Sequence, residues 1–376
     1  SILGIDGWRW VFLVNVPIGI AALAVVTKTL HLRHTRLDHR IDWAGAALLS
    51  TSLVPLLLVA EQGREWGWGS TNAIICYVIG VVAAIGFLWQ EYRMGEEAIL
   101  PLAMFRNKTV GVASIASVLI GVAMFGGLAA LPLYLQIVKG ATPTEAGLLL
   151  LPMTLGIMIG SILSGQIISR TGRYRVFPIV GSALLTISLF IFHYVAYDTP
   201  LWQTMIVMTM FGVGLGFNFQ PLTLAVQNAV PPQQIGVATS TATFTRQIGG
   251  TLGTAVFLSI LFSTASEKIT TALAAAVPTQ EFQAALADPA NAAVAEQFAA
   301  AQSGGGAATS VLSDSSFLTG LDERLAKPFL IGFSEAMDLV FLTGSAIMVL
   351  GFLVMLMLPS VELRKSSGYS ERALAE

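Results

Sequence analysis

GWRWVFLVNVPIG, Gly7 to Gly19, leads into an apolar run that reaches Leu30, and about eight further apolar runs follow it along the chain. A helix needs about 20 apolar residues to cross roughly 30 Å of hydrocarbon with every backbone amide satisfied internally. The string therefore opens a membrane-crossing helix, and the runs behind it predict an all-α integral membrane protein. Composition agrees, since 55% of the 376 residues are hydrophobic, 11% are charged and the mean hydropathy is +0.74, well outside the range of soluble domains. A net charge of −2 argues against a nucleic-acid partner, because a phosphate-binding surface needs a clustered basic excess. The one cysteine, Cys76, lies inside an apolar run and permits neither an intrachain disulfide nor a thiolate metal site.

The apolar windows fall at about 10–30, 43–60, 73–89, 110–138, 146–168, 176–196, 201–227, 236–262 and 336–358, which predicts nine spans. Orientation follows from the connections, because Lys and Arg near membrane ends stay on the cytoplasmic side. Lys28, Arg33, Arg36 and Arg40, then Arg93, Arg106 and Lys108, then Arg170, Arg173 and Arg175, and finally Arg364, Lys365 and Arg372 form the inner set. The opposite short connections carry only Arg64 and Lys139 beside Glu61, Glu65, Glu145 and Asp198. An odd number of spans starting outside, together with a first residue that is Ser1 rather than Met, predicts a fragment whose earlier helices precede this chain. A long, Ala-rich outer connection over about 263–335 reads as a solvent-facing insertion; Thr279 and the Asp288–Pro289 pair are helix-start signals within it, and Gly304 to Gly306 a stop.

GWRWVFLVNVPIG resembles the sixth-helix signature of the fourteen-helix drug:proton antiporters of the major facilitator superfamily, the EmrB/QacA type. FRNKTVGVAS at Phe105 to Ser114 resembles the start of that family's C-terminal six-helix half, and LPLYLQIVKGATPTEAGLLLLP at Leu131 to Pro152 its ninth-to-tenth helix junction. GQIISRTGRYR, Gly165 to Arg175, is similar to its repeated cytoplasmic loop, and TRQIGGTLGTAV, Thr245 to Val256, to its thirteenth helix. The resemblance implies a major facilitator helical bundle of which about nine transmembrane helices, six to fourteen, are present. It implies that residues 1–30 are the last helix of the N-terminal bundle and 31–108 two extra linker helices with their loops. Residues 109–358 would be the C-terminal bundle, including the 263–335 loop, and 359–376 a cytoplasmic tail. The proton-linked acid of the first helix, the fourth-helix arginine and the proline-glycine motif of the fifth would lie before Ser1.

No Asp or Glu falls near the middle of an apolar window; Asp42, Glu61, Glu91, Glu145, Glu335 and Asp338 sit at or close to window ends. A mid-membrane carboxylate usually marks a proton or cation path, so the proton carrier is expected elsewhere. Arg246 lies about ten residues, roughly 15 Å, into its helix. It either faces a central cavity with Gln247 as a gating or coupling group, or snorkels to the interface. Gly156 and Gly160, Ser161 and Gly165, Gly212 and Gly216, and Gly249 and Gly253 are each four apart, which predicts small helix faces where backbones approach closely. Pro132, Pro152 and Pro221 should interrupt their helices. Met124, Phe125, Tyr134, Gln136, Asn218, Phe219 and Gln220 are the candidates for an amphipathic substrate cavity, with interhelical hydrogen bonding the other reading of the polar ones. The resemblance implies that Arg170, Arg173 and Arg175 act as an inner latch.

Enzymatic readings find no support. There is no phosphate loop and no Gly-x-Ser-x-Gly elbow, and the spacing of His31, His34 and His39 fits no zinc pattern; no cofactor is expected. What the resemblance implies is a multidrug efflux transporter of a bacterial inner membrane. It would work within the lipid bilayer, exporting hydrophobic or amphipathic small molecules in exchange for protons by alternating access of two bundles. A dedicated exporter of an endogenous lipid, siderophore or antibiotic, and a non-transporting scaffold or sensor, are the alternatives.

Overall fold

The computed structural model describes residues 7–29, 42–291 and 321–360. All regular structure among them is helical, and every one of the nine apolar windows becomes helix. Seven helices are long and apolar enough to cross a membrane, and two shorter apolar ones, Asn15–Thr29 and Val176–Phe192, complete the set.

The segment Ser1–Ile41 is a unit of its own. Its opening string forms two helices, α1 (Gly7–Leu13) and α2 (Asn15–Thr29), rather than one. Pro17 has no N–H to give the Leu13 carbonyl, so the ladder breaks at Val14. The basic stretch from His31 to Arg40, with His34 and His39, lies outside the described residues, as do Gly304 to Gly306 and everything after Ser360.

The second unit begins with a hairpin of α3 (Trp43–Trp66) and α4 (Thr71–Met94), each started by a side-chain cap. Asp42 accepts from the Gly45 N–H at 2.8 Å and Ser70 from Ala73 at 3.2 Å, satisfying amides that have no partner in the first turn. Then come α5 (Lys108–Ile137), α6 (Pro143–Leu149) and α7 (Leu151–Thr171), α8 (Val176–Phe192), α9 (Leu201–Asn228), α10 (Ile235–Ala276), the short α11 (Gln280–Ala287) and α12 (Glu323–Leu356). α5 packs on α10, α7 and α8 on α9, and α12 against α5, α8 and α10, while α3 touches α10. Pro132 and Pro221 lie inside α5 and α9, and Pro152 follows the break between α6 and α7. Phe192 and Phe341 stack at 5.0 Å between ring centres. Phe257 fills the space opposite Gly126 and Gly344. Outward-facing Ile75, Val82, Leu155, Ile159, Ile162 and Leu353 stay exposed, as lipid-facing positions should.

Glycines set the closest crossings. Methyl groups at Gly156, Gly160, Gly212 and Gly216 would meet backbone atoms of the facing helix in the α7–α9 pair, and at Gly249 and Gly253 the α5 backbone at Val118 and Val122. Gly165 departs from the expected pattern: it has open space beside it, because α7 turns that position away from α9.

The connection read as a loop over 263–335 is helical at both ends. α10 continues to Ala276, and α12 starts at Glu323, so at 1.5 Å per residue both run far past the roughly 30 Å of a hydrocarbon core. Hydropathy stopped early because these extensions are amphipathic. Ile269, Phe329 and Phe333 are buried between them, Gly332 lies against the Ile269 backbone, and Lys268 pairs with Glu335 at 3.3 Å. Thr279 does cap a helix, accepting from Phe282 N–H at 3.4 Å, and Phe282, Ala285 and Leu325 form a small second core. Asp288–Pro289 leads into a single 3-10 turn, Pro289–Asn291, where the described segment ends. Asp322 caps α12, and its bidentate bond to Arg324 at 3.0 and 2.7 Å holds its carboxyl well below the usual carboxylate range.

The far end of the bundle is tied by the α7–α8 turn. Gly172 ends α7 with φ at 69°, a left-handed conformation that glycine adopts without cost. Arg175 Nη2 then donates to the Leu356 carbonyl at 2.8 Å, and the Tyr174 hydroxyl to the Pro359 carbonyl at 3.1 Å. A cation at a helix C-terminus answers both unpaired carbonyls and the dipole. Arg175→Ala is expected to cost about 1–3 kcal/mol and to raise amide exchange over residues 354–360 first; unchanged exchange there would mean that the bond contributes nothing.

Candidate functional site

Between α5, α9 and α10 lies a cavity of about 290 Å³ lined by Met124, Phe125, Phe219, Gln220, Thr223, Arg246 and Gln247. Six of these seven are residues singled out from sequence; Thr223 was not. Each helix contributes for a local reason. Gly121 and Gly250 let α5 and α10 approach until the Phe125 ring lies over Gly250 and the Arg246 carbonyl over Gly121, which aims Phe125 and Arg246 into the same space. Phe219 and Thr223 are four apart, on one face of α9.

The Arg246 guanidinium lines this cavity. It sits 5.0 Å over the Phe219 ring, within cation–π range, and has no carboxylate in ion-pair reach among the described residues. The cavity therefore combines one positive group, two amides, a hydroxyl, two aromatic rings and a polarisable thioether, the mix of apolar walls and few polar groups that suits a drug-sized ligand.

Three cavity candidates lie elsewhere. Asn218 is fully buried, donates to the Gly214 carbonyl at 2.7 Å and lies against Gly181 of α8, because it is one residue, hence about 100°, around α9 from Phe219. Tyr134 is 2% exposed and donates to the Ala196 carbonyl at 3.2 Å. Beside it Lys139 caps the Tyr197 and Thr199 carbonyls at 2.6 and 2.7 Å; burial pushes its amine down, against the pull of Asp198. Tyr134 therefore seals the α8–α9 connection, and half-buried Gln136 shares its end of α5, away from the cavity. Of the three loop arginines, Arg170 and Arg173 are exposed, while Arg175 donates to the Leu356 carbonyl at the end of α12.

Sequence reasoning missed a buried polar cluster at the Tyr134 end. Asp338, read as a window-end residue, lies near the middle of α12 because that helix begins at Glu323. Its Oδ1 is buried without a hydrogen bond. His193 Nδ1 lies 3.1 Å from the Asp338 backbone oxygen, and His193, Glu335 and Lys268 are the charged groups that face the carboxyl. The Thr204 hydroxyl is buried there too, without a hydrogen-bond partner. No group of three or more potential ligand side chains that could hold a metal occurs among the described residues.

A bundle of long apolar helices with glycine-tight crossings and a small amphipathic cavity between three of them defines a polytopic membrane protein. The chain belongs to the Major Facilitator Superfamily, whose family model matches residues 1–254. It is 37% identical over 317 residues to a protein named tetracycline resistance determinant from Streptomyces rimosus, covering 84% of this chain and 90% of that one. It is 32% identical over 359 residues to an uncharacterized MFS-type transporter of Mycobacterium tuberculosis, covering 95% of this chain and 48% of that one. A 239-residue stretch is 32% identical to multidrug resistance protein 3 of Bacillus subtilis, covering 63% of this chain and 46% of that protein. The chain thus spans about half the length of the last two relatives and most of the first.

Proposed function

We propose that this chain forms part of a drug-efflux transporter of a bacterial inner membrane, and that the cavity between α5, α9 and α10 is this half's share of the substrate path. The observation that carries the reading is Arg246 over Phe219, an unpaired cation held against an aromatic wall inside a membrane bundle, where charges default to function. The names of the Streptomyces and Bacillus relatives support it. Because Arg246 is the one charge lining the cavity, this half favours neutral or anionic aromatic amphiphiles over cations.

On this reading α2 is the last helix of a first bundle, α3 and α4 are linker helices, and α5 to α12 the second bundle, with the Arg173 turn facing the cytoplasm. Rocking of the two bundles about their shared cavity would give alternating access. Proton exchange finds support in Asp338, whose buried, unbonded oxygen makes it a candidate carrier.

In vesicles from cells producing the protein, an imposed proton gradient should drive efflux of an anionic or neutral fluorescent drug, and an uncoupler should stop it. Asp338→Asn should abolish uphill efflux by at least about tenfold while leaving substrate exchange down a gradient intact, since a neutral side chain binds no transported proton. Efflux that ignores the proton gradient would remove the antiport reading, and uphill efflux unchanged in Asp338→Asn would remove this residue from it.

A further inference from the structure

Two carboxyl side chains at one end of the α3–α4 hairpin are almost wholly withdrawn from solvent: Glu91 is 0% and Asp42 5% exposed. Asp42 precedes α3 and Glu91 lies in the last turn of α4, so the antiparallel pairing brings both to the same end. Each is half satisfied. Asp42 Oδ1 accepts from Gly45 N–H at 2.8 Å and from Gln90 Nε2 at 3.0 Å, and Glu91 Oε2 from Leu100 N–H at 2.7 Å. The second oxygens, Asp42 Oδ2 and Glu91 Oε1, are both buried and have no hydrogen-bond partner.

No cation answers them among the described residues. Among the described side chains, the charged or titratable groups around the site are Asp42 itself, which caps α3, and Arg93 and Tyr92 on α4. Beyond them lie Glu97 in the 3-10 turn Gly95–Glu97 and Arg106 in the 3-10 turn Leu102–Arg106. α10 packs against α3 as well, with Arg246 as the charge of its membrane portion, engaged on Phe219. Arg93 is turned onto the Trp89 ring at 4.3 Å, and Tyr92, Glu97 and Arg106 are exposed. Asp42 is the one charge that bears on Glu91 electrostatically.

Two carboxylates sealed together in this way would meet both the desolvation cost of each charge and their mutual repulsion. A proton on Glu91 removes its own desolvation cost and the repulsion together, and leaves Asp42 as a carboxylate whose Oδ1 keeps two donors. We propose that Glu91, at the same hairpin end as Asp42, is a proton-binding site that fastens the α3–α4 hairpin to the following Ile99–Leu100 segment, separate from the cavity and from Asp338. With the proton bound, the hairpin end is neutralised to a single charge and closed; on release, the two charges repel, and the Leu100 segment held by Glu91 lets go. The ligand is the proton itself, and no cavity is needed to hold it. The inference does not rest on the efflux reading, since a protein that transports nothing would carry the same site.

The test uses the whole chain in lipid nanodiscs, with Glu91→Gln and Asp42→Asn. Both variants keep the accepting oxygens: Gln still takes the Leu100 N–H, and Asn caps a helix as well as Asp. Each also supplies a permanent N–H donor in place of the proton. Wild type should lose about 5 °C of unfolding midpoint as pH rises from the ordinary carboxylate range through the raised value of Glu91, as the proton leaves. Both variants should stay flat over that range, and the protection factor of the Leu100 amide, the observed exchange rate corrected for its intrinsic pH dependence, should fall with pH only in wild type. A protonated-carboxyl infrared band present in wild type at about pH 6 should be missing from Glu91→Gln. Identical pH profiles for wild type and variants, or no such band, would overturn the proposal. So would rescue of wild type at alkaline pH by sodium, potassium or magnesium chloride that Glu91→Gln does not show, since that would make the ligand a metal cation.

Discussion

Arg246→Ala is expected to weaken transport of anionic compounds strongly while the protein folds as well as wild type. Two opposing terms decide the sign. Losing the contact with Phe219 costs about 0.5–2 kcal/mol, whereas a guanidinium half-buried beside apolar rings without a carboxylate partner has forfeited hydration that alanine never needs. The net effect on stability is therefore close to zero. Function has no such compensation. If substrate is held by this cation, removing it loses about 1.5–3 kcal/mol of charge-assisted bonding, or roughly 10–100-fold in apparent affinity. The loss should be greatest for anionic compounds and should shrink or reverse for cationic dyes. Arg246→Lys should recover part of the affinity, because the charge remains but the planar fork does not. Efflux and equilibrium binding, measured across an anionic, a neutral and a cationic fluorophore, check the pattern. Equal losses for all three would make Arg246 a gate rather than a charge selector. No loss for any would take the cavity out of the transport path.

How much of this was legible in the sequence depends on which physical quantity each residue reports. Nine helices were readable because a span must be apolar for about 20 residues, and nothing in the fold can override that. The cavity was readable in outline for a related reason: Gln220, Arg246 and Gln247 are polar groups in apolar helices, and such groups face either a partner or a space. Rotation about a helix axis was not readable. Asn218 and Phe219 are neighbours in sequence, yet one is wedged against Gly181 and the other faces Arg246. Burial failed for Asp338: it stands at the end of its apolar window, yet the helix had already started at Glu323, so its Oδ1 is packed inside the bundle without a hydrogen bond. Asp42 and Glu91 each read as a helix-end acid, and each is one. That antiparallel pairing closes the two ends over each other is a property of the hairpin, invisible to either residue alone.

The second large effect belongs to the α7–α9 crossing. At Gly212 a methyl group would run into the Met153 carbonyl, and at Gly216 into the Ile157 carbonyl and the Ser161 amide. In both cases the obstacle is backbone rather than a side chain that could swing away. Relief would require the whole of α7 to move off α9, surrendering dispersion contacts along the seam, which in lipid are the main force joining helices because burial of apolar surface gains little there. Overpacking a core by a methylene costs about 1–3 kcal/mol where side chains can adjust. Gly212→Ala should reach at least the top of that range, and Gly212→Leu should leave no folded, monodisperse protein in detergent. Gly165→Ala is the matched control: it lies on α7 with nothing near its added methyl and should gain slightly from the better helix propensity of alanine. The comparison separates close approach from glycine content, since both changes add the same atoms to a membrane helix. If Gly212→Ala unfolds at the same temperature as Gly165→Ala, the two helices are free to separate by the width of a methyl group. A seam that loose would let α7 slide on α9, and bundle rocking would no longer need the two halves of the transporter to move as rigid bodies.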